Sequence, residues 1–352
     1  MRYTSEILDR TAGGKASPVV VLRDSRGPQR VEVWLGHGFN TLRWQVADPT
    51  RSGLVDLLYV DPAWEETAVP TRSGFPILFP FPNRIRDGHW VHDGTPQQLP
   101  LNDSTHKNAI HGFSPRLPWR LLSLDQDVDE ISVTGELARA DVPDGESLWP
   151  VDFRILVTVT LSANRLTIAS EITNPDTQPL PWGLGYHPYF RHPAQADGDL
   201  SRVTLQTAAR SRWELVDSLP TGVTEAVTGK HDFQSPRLLA DHHLDDLYGD
   251  LPNGRRNPKS GLFWRATLGH ADAPGRLEMN TSPIFRELVL FTPPHRKAVA
   301  IEPYTCTTDA ANLAAAGKDV GWQLLPPGGS NLNVVELIWE PNAAPMVPTA
   351  AS

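Results

Sequence analysis

Between Phe153 and Ile172 the buried-type residues fall on every second position. Phe153, Ile155, Val157, Val159 and Leu161 alternate with Arg154, Leu156, Thr158 and Thr160. After Ser162-Ala163-Asn164-Arg165 the period continues through Leu166, Ile168, Ser170 and Ile172. Successive side chains of a strand point to opposite faces, so this segment reads as a hairpin with one buried face. Shorter runs of the same kind recur at Val19 to Leu22, Arg30 to Leu35, Thr41 to Val46, Val55 to Val60, Ile131 to Leu137 and Val203 to Thr207. Others follow at Gly261 to Leu268, Arg276 to Asn280, Glu287 to Thr292, Ala298 to Glu302 and Asn333 to Trp339. The 33 prolines and 26 glycines are scattered among these runs, as turn punctuation would be. Helical periodicity is nearly absent. Asp309 to Ala316, closed by Gly317, is the best helix candidate, with an N-cap-like Asp and a C′-like Gly.

Many strands without intervening helices imply an all-β antiparallel sandwich or barrel. No repeat of 20–50 residues is visible, which weakens a propeller. No composition shift divides the chain, so one domain is expected over 1–340. Met1 to Ser17 and Pro341 to Ser352 read as frayed ends, the latter a disordered tail over 341–352. Lys and Arg number 32 against 41 Asp and Glu, a net charge of −9, which argues against nucleic-acid or anionic-membrane partners. Cys306 stands alone and can form neither an intramolecular disulfide nor a thiolate metal site. The first residues lack the apolar stretch of a secretory signal and no apolar run approaches a membrane span, so a cytoplasmic location is expected.

Four segments place polar, titratable groups where plain core or turn would otherwise stand. Gly74 to Gly88 is apolar and stiffened by proline, and it delivers Asn83 and Arg84; the guanidinium could fork onto vicinal hydroxyls or a carboxylate. In Asn108-Ala109-Ile110-His111-Gly112-Phe113, Gly112 would let a ligand approach the backbone beside His111. In Trp182 to Phe190, aromatics including Tyr189 flank His187; aromatic faces pack on the C–H face of a sugar, and an imidazole moves protons near neutral pH. In Ala298 to Thr305, an apolar strand ends in Glu302 before Pro303, and a partly desolvated carboxylate there would serve as a general base. Each has a plain alternative: surface loop, satisfied core histidine, aromatic cluster, exposed strand end. His242-His243-Leu244-Asp245-Asp246 looks like a metal cluster, but neighbours on a strand face opposite ways.

In order and wording, these segments together resemble the aldose 1-epimerase (galactose mutarotase) family. The resemblance rests on Phe79-Pro80 through Asn83-Arg84-Ile85-Arg86-Asp87-Gly88, Ile110-His111-Gly112-Phe113 and Gly185-Tyr186-His187-Pro188-Tyr189-Phe190. It extends to Leu244-Asp245-Asp246-Leu247-Tyr248, Ile301-Glu302-Pro303 with Asp309 to Asn312, and the late Leu325-Pro326-Pro327-Gly328-Gly329 turn. It implies a large antiparallel β-sandwich, the galactose mutarotase-like supersandwich, with an open cleft and very few short helices. It also implies roles. Glu302 would be the general base on the C1 hydroxyl, His187 the general acid on the ring oxygen, and His111 a hydrogen-bonding group near that oxygen. Arg84 and Asp245 would position sugar hydroxyls, with Asn83 and Tyr189 beside them; Asp246 could stand in Asp245's place. The implied partner is a small sugar, an aldohexose, and the acid–base chemistry needs no metal or organic cofactor.

Three other readings stay open: a metal triad of His111, His187 and Glu302 in a β-barrel oxygenase, a non-catalytic carbohydrate-binding protein, and a hexose-6-phosphate mutarotase. The last would need an arginine cluster, for which Arg86, Arg116 and Arg191 lie near the motifs. Relatives acting on phosphorylated sugars tend to have Thr where Pro188 stands, which favours a neutral sugar.

Overall fold

The expected hairpin forms as Arg154–Ser162 paired with Arg165–Thr173, with Leu161 opposite Leu166 and Ile155 opposite Ile172. The structure is a computed structural model that describes residues 1–48, 52–103, 105, 107–195, 199–240 and 242–348. In it the hairpin lies inside a nine-stranded sheet. The order is Arg120–Gln126, Glu130–Ala138, the hairpin, Ser330–Glu340, Arg276–Thr281, Phe263–His270, Val203–Thr207 and Arg237–Leu238. A second sheet runs Leu219–Ala226, Ser211–Val216, Asp245–Gly249, Glu287–Phe291, Val299–Tyr304, Gly185–Tyr186 and Ile77–Leu78, with Tyr189–Phe190 also paired to Val299–Tyr304. Described pairings within both sheets are antiparallel, as the all-β sandwich reading expects.

One apolar core joins the two sheets. Ile155, Val157, Ile168, Val335 and Leu337 of the first meet Tyr186, Tyr248, Leu288, Leu290 and Ile301 of the second. The Tyr186 hydroxyl bonds the Ser170 hydroxyl at 2.6 Å across the layers, which satisfies two polar groups that burial would otherwise penalise. The second sheet therefore spends one face on the core, and its other face is left to carry side chains of a different kind.

Three sequence expectations are corrected. The N-terminus is not frayed: Tyr3–Ala12 pairs along its whole length with Lys15–Asp24 at the edge of a five-stranded sheet. Its middle faces solvent and lacks an apolar period, so the only sequence mark of the hairpin was Gly13-Gly14, both at positive φ, as a two-residue hairpin turn requires. The run expected over Val55 to Val60 is strand only at its start, in Leu54–Asp56. At the far end, Met346 N–H donates to His270 O and Gly275 N–H to Ala343 O, so 341–348 runs along the nine-stranded sheet; 349–352 lie outside the described residues. The helix forms at Ala310–Ala315, and no described helix is long and apolar enough to cross a membrane.

Candidate active site

Strand register assembles the site. Asp245 pairs with Phe291, which pairs with Ala300, which pairs with Tyr189. Two residues along, Leu247 pairs with Val289 and Val289 with Glu302. Glu287 pairs with Tyr304, and Tyr304 with Gly185. Because alternate residues share a face, Asp245, Glu287, Ala300, Glu302 and Tyr304 all lie on the side opposite Leu288, Leu290 and Ile301, which enter the main core. Register also puts the two aspartates on different faces. Asp245 shares the face of Glu302, whereas Asp246 is one residue out of phase and accepts from Arg212 Nη1 at 3.0 Å.

On this face Glu302 Oε1 lies 3.3 Å from His187 Nε2. Tyr189 stacks on the His187 ring at 4.7 Å, donates its hydroxyl to Thr71 O at 2.5 Å, and places that hydroxyl 3.3 Å from His187 Nε2. His111 meets His187 edge-on at 5.6 Å. His111 arrives from a separate segment, held by its own N–H donating to Asn83 O at 2.8 Å. Arg84 donates from Nε to Asp103 at 2.8 Å and from Nη1 to Asn83 Oδ1 at 3.2 Å. Asp309 clamps this turn: its N–H donates to Arg84 O, and its carboxylate accepts from Arg86 N–H and from Asn312. Asp309 thus sits at the helix N-cap position, but its carboxylate serves the arginine turn instead of the helix N–H groups. Beside Tyr189 and Phe291 opens a cavity of about 380 Å³, walled also by Thr71, Arg72, Pro293 and His295. That is within the range of small-molecule sites.

Burial governs the charges. Glu302 is 1% exposed and His187 and His111 are each 7% exposed. Desolvation pushes the Glu302 carboxyl well above its ordinary range, reinforced by Asp245 and opposed by the Tyr304 hydrogen bond and by Arg84. The same desolvation lowers His187 to about 3. His111 is also lowered, by desolvation first and then by the charges of His187, Arg116 and Arg84. The imidazole expected to move protons near neutral pH is thus biased toward its neutral form, and it faces a carboxyl biased toward its acid form across a 3.3 Å contact.

A family model described as "Aldose 1-epimerase" matches residues 37–335. The chain belongs to the aldose 1-epimerase family. The Uncharacterized protein YihR of Escherichia coli K12 is 25% identical over 67% of this chain and 71% of its own length. The galactose mutarotase of Rattus norvegicus is 28% identical, but over only 46% of this chain and 45% of that protein. Among solved structures, a galactose mutarotase-like protein from Clostridium acetobutylicum superposes with a TM-score of 0.81 at 21% identity, covering 96% of this chain and 99% of that one. The fold is thereby the galactose mutarotase-like one that the sequence motifs imply.

Set beside this family, some sequence readings change. Gly112 was expected to admit a ligand, but the close approach there is internal: a Cβ on Gly112 would stand 2.2 Å from Phe79 O. The strand does not end at Glu302. Pro303 pairs with Leu288 and Tyr304 with Glu287, so the strand runs to Tyr304. That continuation exposes a residue missed from sequence. Tyr304 lies on the Glu302 face and donates its hydroxyl to Glu302 Oε2 at 2.5 Å. Asn83, expected among the sugar-binding groups, has its Oδ1 taken by Arg84 Nη1 at 3.2 Å. Glu287 was likewise missed; it is buried, accepts from Trp213 Nε1 at 2.8 Å, and burial raises it to about 8. The spacing Glu302-x-Tyr304 was the available signal for the tyrosine, since residues two apart on a strand share a face.

Proposed function

We propose that this chain is an aldose 1-epimerase interconverting the α and β anomers of a free aldohexose such as glucose or galactose. The observation that carries this reading is the buried pair of Glu302 and His187, 3.3 Å apart, with His111 against it. Ring opening needs a group to take the C1 hydroxyl proton and another to protonate the ring oxygen, and a carboxyl and an imidazole side by side can supply both. The reactive arrangement has the proton on His187 and the carboxylate on Glu302. Glu302 takes the proton of the C1 hydroxyl, the C1–ring oxygen bond breaks as the C1 carbonyl forms, and His187 gives its proton to the departing ring oxygen. Rotation about C1–C2 turns the other face of the aldehyde to the hydroxyl that was the ring oxygen. That hydroxyl then attacks C1, returning its proton to His187, while Glu302 protonates the former carbonyl oxygen. The pair ends as it began.

In this reading His111 hydrogen-bonds the ring oxygen, and Arg84 and Asp245 hold hydroxyls farther round the ring. Tyr189, which stacks on His187 and lines the adjacent cavity, gives that cavity an apolar wall for sugar C–H groups. The test is polarimetry of freshly dissolved α-D-glucose and α-D-galactose against an uncatalysed control. Acceleration by the wild type and its loss in Glu302→Gln is the expected result. No acceleration with either sugar rejects them as substrates, and failure with hexose 6-phosphates as well overturns the epimerase reading.

A further inference from the structure

Both oxygens of the Glu302 carboxylate are engaged, and by groups of opposite character. Oε1 faces His187, with which it can exchange a proton, while Oε2 accepts from the Tyr304 hydroxyl at 2.5 Å. Around it, Arg84 Nη1 donates to Asn83 Oδ1 at 3.2 Å while Arg84 Nε donates to Asp103 at 2.8 Å, which fixes the Asn83 side chain beside this strand end. The fold makes room for this. Tyr304 is fully buried, and it lies opposite Gly185, where a Cβ would come within 2.5 Å of the tyrosine ring.

We propose that Tyr304 is a positioning residue for Glu302: by occupying Oε2 with a donor it orients Oε1 toward His187 and biases Glu302 toward its carboxylate form. This rests on the epimerase reading for its consequence in turnover, since that bias favours the reactive arrangement. The opposing influences on Glu302 agree with it, because burial raises the carboxyl and the Tyr304 hydrogen bond lowers it. Burial and the neighbouring Glu302 raise the Tyr304 phenol well above its ordinary range, so the hydroxyl keeps its proton and stays a donor to the carboxylate.

Tyr304→Phe deletes the hydroxyl and keeps the ring. A charge-assisted hydrogen bond of this kind leads us to expect a fall in kcat of about tenfold with KM within about twofold, and a rise of about one pH unit in the acidic limb of kcat/KM. Replacing Tyr304 by 3-fluorotyrosine, a stronger donor of nearly the same shape, is expected to move that limb the other way. A second readout needs no substrate: the ¹³Cδ shift of Glu302, assigned by its disappearance in Glu302→Gln, followed across pH. Its midpoint is expected to rise in Tyr304→Phe and fall with 3-fluorotyrosine. Coincident midpoints in all three proteins overturn the proposal. Absence of wild-type catalysis on any aldose instead fails the epimerase reading, while the carboxyl titration still decides the role of Tyr304.

Discussion

The hairpin Arg154–Ser162/Arg165–Thr173 and the pair Glu287–Phe291/Val299–Tyr304 are both antiparallel, yet they use their faces differently. In the hairpin, buried and half-buried residues alternate without a break, so one face is core and the other is close to solvent. Val299–Tyr304 is buried at every position. Its second face is closed by the histidine and arginine segments, and that closure gives a carboxylate an environment a solvated strand face cannot. The difference teaches that the reactive character of Glu302 comes from what covers the second face. The same carboxylate on the outer face of the hairpin would titrate as an ordinary Glu.

Glu302→Gln is the most severe test of this contrast. Removing a general base while keeping its shape should cut turnover by about 10²–10⁴-fold, read by polarimetry, with the thermal melt retained. Near-wild-type rates would remove Glu302 from the chemistry. On the other side of the comparison, Leu161→Ala in the fully buried face of the hairpin should cost about 2–5 kcal/mol in denaturant unfolding. Turnover per folded molecule should stay unchanged, and a large loss there would mean the two regions are not separable.

Glu287 sharpens the comparison without touching the reacting pair. It shares the Glu302 face, and burial holds its carboxyl at about 8 against an ordinary 4.5. Between those values the native state keeps a proton that the unfolded chain has lost, so stability falls as pH rises, by about 1.4 kcal/mol per pH unit from this group. Glu287→Gln stays neutral throughout and should gain on the wild type across that window, with the difference levelling above about pH 8. Parallel stability curves from urea melts at several pH values would show that the second face is wetter than its burial indicates. The smallest effect belongs to Cys306→Ser. The thiol is buried among Leu78, Val289 and Val320, so a hydroxyl there should cost about 1–3 kcal/mol of stability. Turnover should be unaltered, and a large loss with folding intact would misplace the site.

Much of the fold was legible because its cause is local. The period-two pattern of Ile155, Val157, Val159 and Leu161 states which face is buried, and pairing follows from it. The edge strand Tyr3–Ala12 escaped because only one of its faces meets the protein and few of its residues are apolar. Of the candidate site, His111, His187, Glu302, Arg84 and Asp245 were named from their motifs. The sequence by itself determined the all-β class, the position of the hairpin and the residue types available for acid–base chemistry, since propensity and periodicity act over a few residues. Only the tertiary structure decided that Asp245 and not Asp246 shares the glutamate's face, that Gly112 makes room for Phe79, and that Tyr304 holds Glu302. Each of these depends on register or contact between segments far apart in the chain. The upward push on Glu302 and the downward push on His187 depend on the same thing, because desolvation is set by everything that packs around a group and by nothing that its neighbours in sequence reveal.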